Sequence, residues 1–510
     1  MQYVIEQQMH TVLADSVYQE ALSGRTNFFY FMGGVNGATP TAPDNSYKYE
    51  LSSRNSMISA KKISIADISL VVPIINWTSN IVYDFYDDDY TAYPAYSGAT
   101  ALVNAKFYVL TSDFNVYKCL NNNGNVVSTV MPTGTSTTRF TTSDGYIWKF
   151  MYNIPLASIN KFLNNLVMPV QVAVNEQFYS SGKVISTVIN NGGTGYTTAN
   201  LTIVGDGTGA LATAVIVGGS ITNVVFTNHG TGYTYAKCNI AGDGTNASIS
   251  CNLSVGDMIS NQSNVELLAV AGTIENIQVT NGGTGYTTAT VAIHGDGTGA
   301  SATATIVAGV ITKIVITNPG AGYSYANCSI TGNGTSATIR AIMSPQGGHG
   351  KNAVSELCAS RMLFYSTIAG DTNQGFSISN DFQQVGIVRD IRGYGSTSRY
   401  FSSIGSPLYA FNVSGSAFQL NDKFADSVTG SVYQVFAVNG NSMLVQNLNN
   451  SIPAINNVIN NTTRVGQNTI TSITTPTIDK FSGDFLYVGN ILASQSSSDQ
   501  IITVKTTINF

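Results

Sequence analysis

Three kinds of residue cluster in this chain could carry chemistry. The first is glycine-rich: Gly192, Gly193 and Gly195, followed by Gly205, Asp206 and Gly207, lie between β-branched runs. Such loops hold phosphate when their backbone N–H groups open a helix. No helical pattern follows, so tight turns are expected instead. PQGGHGKN at 345–352 comes nearer to a P-loop. Pro345 occupies its first glycine position, however, and Asn352 stands where Ser or Thr would hold magnesium, so turn geometry is expected there too.

The second kind is acidic. YDFYDDDY carries Asp84, Asp87, Asp88 and Asp89, and calcium takes several oxygen ligands. The D-x-D-x-D-G spacing is missing, so a solvated turn or an inter-subunit contact is the expectation. Asp206, Asp243 and Asp296 recur in repeated Gly-Asp-Gly turns, with Asn333 in the fourth place. Asp before Gly is a preferred turn dipeptide, which accounts for them without calcium or glycan and leaves both open.

The third kind is histidine and cysteine. His10, His229, His294 and His349 are scattered, and the repeat counterparts of His229 and His294 are Pro319 and Val204. A repeated metal site would keep its ligand, so these histidines are expected to be ordinary surface or loop residues. Cys119, Cys238, Cys251, Cys328 and Cys358 form no C-x-x-C pair, which fits reduced, mostly buried thiols. Neither H-E-x-x-H nor G-x-S-x-G occurs. A glycan hydrolase needs two carboxylates at a cleft, and no acidic pair is kept in both repeats. No catalytic, cofactor-binding or metal residue is therefore assigned, and the chain reads as a non-enzyme without cofactors.

The elements that must position these residues are mostly strands. Two helices are expected: one with Leu13, Val17 and Ala21 on a stripe ended by Gly24, the other over 155–167, where Ile159, Phe162, Leu163 and Leu166 follow the 3.6 period. KFYVLTSDFNVYKCL at 106–120 reads as a hairpin. The strongest internal signal is a repeat: NGGTGYTTA at 191–199 returns at 281–289, and GDGTGA at 205–210 returns at 295–300, both displaced by 90 residues. Each copy is itself double, since Gly193 and Gly283 have counterparts at Gly230 and Gly320, 37 residues on. Within a unit the glycines supply positive φ and the Tyr ring covers strand that glycine leaves bare. Ala300, Ala302, Ala304 and Ile306 should face one side of a half-buried strand.

Length and composition bound the rest. The chain has 510 residues, 43% hydrophobic and 10% charged, with 27 Tyr, 22 Phe and a net charge of −5. That is enough apolar surface for sizeable cores and too few basic residues to grip nucleic acid through phosphates. Only 10 of the 161 residues at 183–343 are charged, which marks an inserted segment excisable from a folded remainder. MQYVIEQQMH has no secretory pattern, and no stretch of 18 apolar residues spans a membrane. The organisation read is 1–182 as the N-terminal scaffold, 183–256 and 272–343 as repeat modules, and 344–510 as the C-terminal scaffold with an Asn-rich β region near 411–472.

Several separated stretches resemble the baseplate wedge family of contractile-tailed, myovirus-like bacteriophages, of the gene-eight-product type. They are NFFYFMGG (27–34), SLVVPIINWTSNIVYDFYDDDY (69–90), FYVLTSDFNVYKCL (107–120), TSDGYIWKFMYNIP (142–155), SPQGGHG (344–350), NDFQQVGIVRD (380–390), and FSGDFLYVGN through DQIITVKTTINF (481–510). The resemblance implies a mainly β fold, a layered β-sandwich scaffold with a few helix-bearing loops, here carrying inserted duplicated small β modules. It also implies a late, structural, homodimeric virion protein of the tail baseplate, bound to other baseplate wedge proteins and assembled in the host cytoplasm. The insertion would add tail-fibre-attachment or host-surface contacts. The alternative is a glycan-binding adhesin, using the repeat tyrosines as stacking rings.

Overall fold

A computed structural model describes residues 6–34, 43–172, 184–205, 207–231, 233, 236–253, 257–369, 381–415, 418–449, 451–463, 466–495 and 501–510. Asp206 lies outside the described residues. The fold is mainly β, 51% strand and 11% helix, in many antiparallel sheets. The chain divides by contacts into two compact units, Met1–Thr11 with Val72–Ala359, and Val12–Val71 with Ser360–Phe510. Both repeat modules fall in the first.

In that unit the expected hairpin is present. Tyr108–Leu110 pairs with Asn115–Asn121, which pairs in turn with Ile147–Asn153, and the turn closes with Phe114 at φ 58°. Tyr83, Val109, Tyr117, Cys119, Tyr146, Trp148 and Phe150 form the core over this sheet. Val265, from the helix Asp257–Leu267 between the modules, completes it. The insertion is thus built into a core of the flanking sequence.

Both expected helices need correction. The later one is only Leu156–Phe162. Asn164 Oδ1 accepts the amides of Leu166 (2.7 Å) and Val167 (3.0 Å), a local bond that competes with helix continuation. Leu166 is left 78% exposed. The first helix spans Glu6–Leu22, with Gly24 at φ 69° beyond it. Of the expected stripe Ala21 is buried and Val17 half-buried, whereas Leu13 is 44% exposed and Ala14 and Thr11 turn inward in its place.

Each module contains six strands. In the first, Ala199–Gly205 pairs with Ala236–Gly242 at the centre, from Ala199 opposite Gly242 to Gly205 opposite Ala236. Thr208–Val217 pairs with Ser220–Thr231, and Val184–Thr194 pairs with Thr245–Leu253. The first strand of one half therefore pairs with the last strand of the other. The second module repeats this in Ala289–Gly295 with Ala326–Gly332, Thr298–Val307 with Val310–Ala321, and Ile274–Thr284 with Thr335–Met343. Along Thr298–Val307, Ala300, Ala302, Ala304 and Ile306 turn inward and Ser301, Thr303 and Thr305 outward, as the period of two requires.

The second unit holds a five-stranded sheet in which Phe28–Gly33, buried throughout, is flanked by Ser59–Ile63 and Asp381–Arg389, the latter joined by Asp484–Gln495. A facing sheet carries Arg361–Ala369 against Ile501–Asn509. Met32, Phe382 and Val385 of one layer pack with Ile368 and Ile502 of the other, the arrangement of a sandwich. Strands from Tyr409–Val413 to Gln467–Thr474 close into a six-stranded barrel, which occupies the expected Asn-rich region.

Candidate functional site

The repeat turns bind each other. A Cβ at Gly244 would overlap the Tyr196 ring, and one at Gly207 the Tyr233 ring; Gly334 with Tyr286 and Gly297 with Tyr323 repeat the relation. Each ring covers a glycine in the opposite half of its own module. Asp243 Oδ1 accepts the amides of Thr197 (3.0 Å) and Thr198 (2.9 Å) across the same boundary. Asn333 Oδ1 does so for Thr287 (2.9 Å) and Thr288 (3.0 Å), and Asp296 Oδ1 for Ser324 (2.8 Å) and Tyr325 (3.2 Å). The role needs an acceptor oxygen and no charge, which is why Asn serves in the fourth turn. Hydrogen bonds from the Thr197 hydroxyl and the two amides hold the Asp243 carboxyl well below its ordinary value.

The acidic loop is not a solvated turn throughout. Asp84 is buried and accepts from the Ser97 amide (3.0 Å), the Ser97 hydroxyl (2.6 Å) and the Lys106 amide (2.7 Å). Asp87, also buried, pairs with Arg340, whose other nitrogen bonds Asp88 at 2.7 Å. The guanidinium lies 4.2 Å from the centre of the Tyr93 ring. Asp88 also accepts the Met343 amide at 2.8 Å. Asp89 Oδ1 accepts the Ala92 amide at 3.1 Å. The last strand of the second module is thereby fastened to the YDFYDDDY loop.

The most concentrated chemistry lies where the sequence showed only a failed P-loop. Loop 345–352 turns its amides onto an internal carboxylate: Gly350 N–H donates to Glu356 Oε1 (2.9 Å) and Oε2 (3.0 Å), and Asn352 N–H to Oε1 (3.0 Å). Lys118 Nζ, from Asn115–Asn121, contacts Glu356 Oε2, the two side chains being 0% and 1% exposed. The Tyr86 ring centre lies 4.9 Å from this ammonium and 5.0 Å from the His349 ring. Lys149 bonds the Thr137 carbonyl nearby. Glu275, on the first strand of the second module, pairs with Arg139 at 3.1 Å.

Burial dominates the electrostatics here. It pushes Lys118 down against the opposing pull of Glu356, and it pushes Lys149 down with help from Lys118. His349 is driven well below its ordinary value by burial and by the two lysines, and burial raises Glu275 against the pull of Arg139.

Histidine placement is mixed. His229 stacks on Phe226 and bonds the Val184 carbonyl at 2.7 Å, and His294 is exposed. His349 lies in a loop, as expected, but is buried there. The five thiols are free, with Cys251 half-buried and the others buried. Among the described residues no group of three His, Cys, Asp or Glu side chains is placed to hold a metal ion. None of their helices is long and apolar enough to cross a membrane. Sequence reading missed Lys118, Glu356 and Glu275. The available signal was a lysine inside NVYKCLN, a strand buried on both faces. No protein-family model matches the chain, and a search of curated proteins finds no match.

Proposed function

We propose that the chain is a structural subunit of the tail baseplate wedge of a contractile-tailed bacteriophage. It works by assembly and turns over no substrate. As a homodimer it holds neighbouring wedge proteins in the virion, and its repeat modules are added surface for tail-fibre or host contacts.

One observation carries this reading: the stretches bearing the resemblance converge within each unit. NFFYFMGG, NDFQQVGIVRD and FSGDFLYVGN supply three adjacent strands of one sheet. FYVLTSDFNVYKCL and TSDGYIWKFMYNIP supply the paired strands of another, with SPQGGHG turned onto the carboxylate that Lys118 contacts. The resemblance thus follows buried framework, where sequence is tied to shape. The adhesin alternative draws less support, because Tyr196, Tyr233, Tyr286 and Tyr323 are buried against glycines, which leaves Tyr325 as an exposed ring of the second module.

Immunogold labelling of purified tails tests the proposal. Label at the baseplate, together with a dimeric mass for the recombinant chain in solution, is the expected result. Tails that lack the chain would refute it.

A further inference from the structure

We propose that Lys118 and Glu356 are joined by an intramolecular isopeptide bond, Nζ to Cδ, which the folded chain forms by itself. The two groups touch within a site withdrawn from water. Amide formation from amine and carboxyl is opposed by water, and exclusion of water removes that opposition while favouring the uncharged reactants.

Three features separate this pair from an ordinary buried ion pair. The desolvated lysine is pushed toward the neutral amine, the form with a free lone pair. The Gly350 and Asn352 amides point at the carboxyl oxygens, where negative charge gathers in the tetrahedral intermediate of acyl transfer. The Tyr86 ring lies beside the amine. The other titratable groups around the pair include Lys149, Glu275, Cys358 and His349, and the His349 Nδ1 is buried without a hydrogen-bond partner.

The atoms balance within the pair. One proton passes from the Lys118 ammonium to the Glu356 carboxylate, giving amine and acid. The Nζ lone pair attacks Cδ, forming the C–N bond. The C–O bond to the protonated oxygen then breaks, and that oxygen leaves as water with a second proton from Nζ. The third proton stays on the amide nitrogen. No oxidant or co-reactant is needed.

The linked positions stand 238 apart in sequence, and both repeat modules lie between them. The bond would make the insertion a covalently closed ring rooted in the scaffold sheet, so the root could not part when a module is pulled or unfolds. This inference does not depend on the wedge proposal.

The test is the intact mass of the denatured full-length protein, followed by tandem mass spectrometry of its peptides. A mass below the sequence mass by one water, with a branched peptide joining Lys118 to Glu356, is expected. Lys118→Arg should restore the full mass and Lys149→Arg should keep the loss. Full sequence mass in wild-type protein that unfolds cooperatively would overturn the proposal, as would a water loss mapped to other residues. Because the wild-type chain alone decides, a variant that fails to fold does not blunt the test.

Discussion

The Tyr286 ring lies on Gly334 so closely that a Cβ at position 334 would overlap its Cγ and Cδ2 atoms. The ring belongs to one half of the second module and the glycine to the other, so the contact clasps the halves together. Gly334→Ala should force the ring off its site at about 1–3 kcal/mol, the usual cost of overpacking. Thermal unfolding measures it, and an unchanged melting temperature would refute the clasp.

The clasp was partly legible. Tyr over glycine followed from the G-T-G-Y and G-D-G-T letters, and the alternation of Ala300 to Ile306 from the period of two. What those letters could not give was the long-range partner, because Val184–Thr194 pairs with Thr245–Leu253 in the other half with no local mark, unlike the hairpin closed at Gly218 and Gly219. The same holds for the buried charges. Arg340 reaches an aspartate 253 residues away, and Glu356 meets a lysine 238 residues away. Only the tertiary fold brings such residues together, and an acidic run read locally looks like a solvated turn. The helix over 155–167 misled for the opposite reason: its apolar period was real, but Asn164 bonds its own neighbours and ends it.

Asp243 differs from Asn333 in charge and not in the bonds that Oδ1 accepts. Asp243→Asn should therefore keep the neutral-pH melting temperature, while Asp243→Ala lowers it by stranding two amides. The pH dependence follows from the lowered carboxyl. A folded value below the ordinary 3.8 contributes stability that is present above 3.8 and lost as pH falls through the lowered value. The Asn variant should lack that part of the acid-induced loss. Identical acid titrations of wild type and Asp243→Asn, followed by circular dichroism, would contradict the assignment.

Arg340 neutralises Asp87 in a buried setting and also rests on the Tyr93 ring. Arg340→Ala leaves that carboxylate alone, a change that costs about 3–5 kcal/mol when a buried charge loses its partner. Arg340→Lys should recover only part, because an ammonium cannot bridge Asp87 and Asp88 in the planar fork geometry of a guanidinium. Denaturant unfolding of the two variants tests the order. Cutting out 183–343 removes Arg340 and Val265 together, so that deletion should give an aggregating remainder.

The barrel between Ser406 and Thr477 should fold by itself. Its ends meet: the Thr477 amide donates to the Ser406 carbonyl at 2.9 Å, and the Ser406 amide to the Thr477 hydroxyl at 2.8 Å. Its core is internal, with Phe411, Phe424, Tyr433, Val435 and Val445 fully buried among one another, and Phe424 stacks on Tyr433 at 5.1 Å. Two aspartates are held by the asparagines that give the segment its composition, Asp426 by Asn457 at 2.8 Å and Asp422 by Asn461 at 2.8 Å. A closed barrel also has no free edge to pair with another chain. Residues 405–478 expressed alone should therefore give a single cooperative thermal transition. Phe424→Ala, at about 3–5 kcal/mol, should remove most or all of the stability of so small a domain. A fragment that melts without cooperativity would show that the barrel depends on the sandwich beneath Phe436 and Leu444, which pack outside it against Met32 and Ile58.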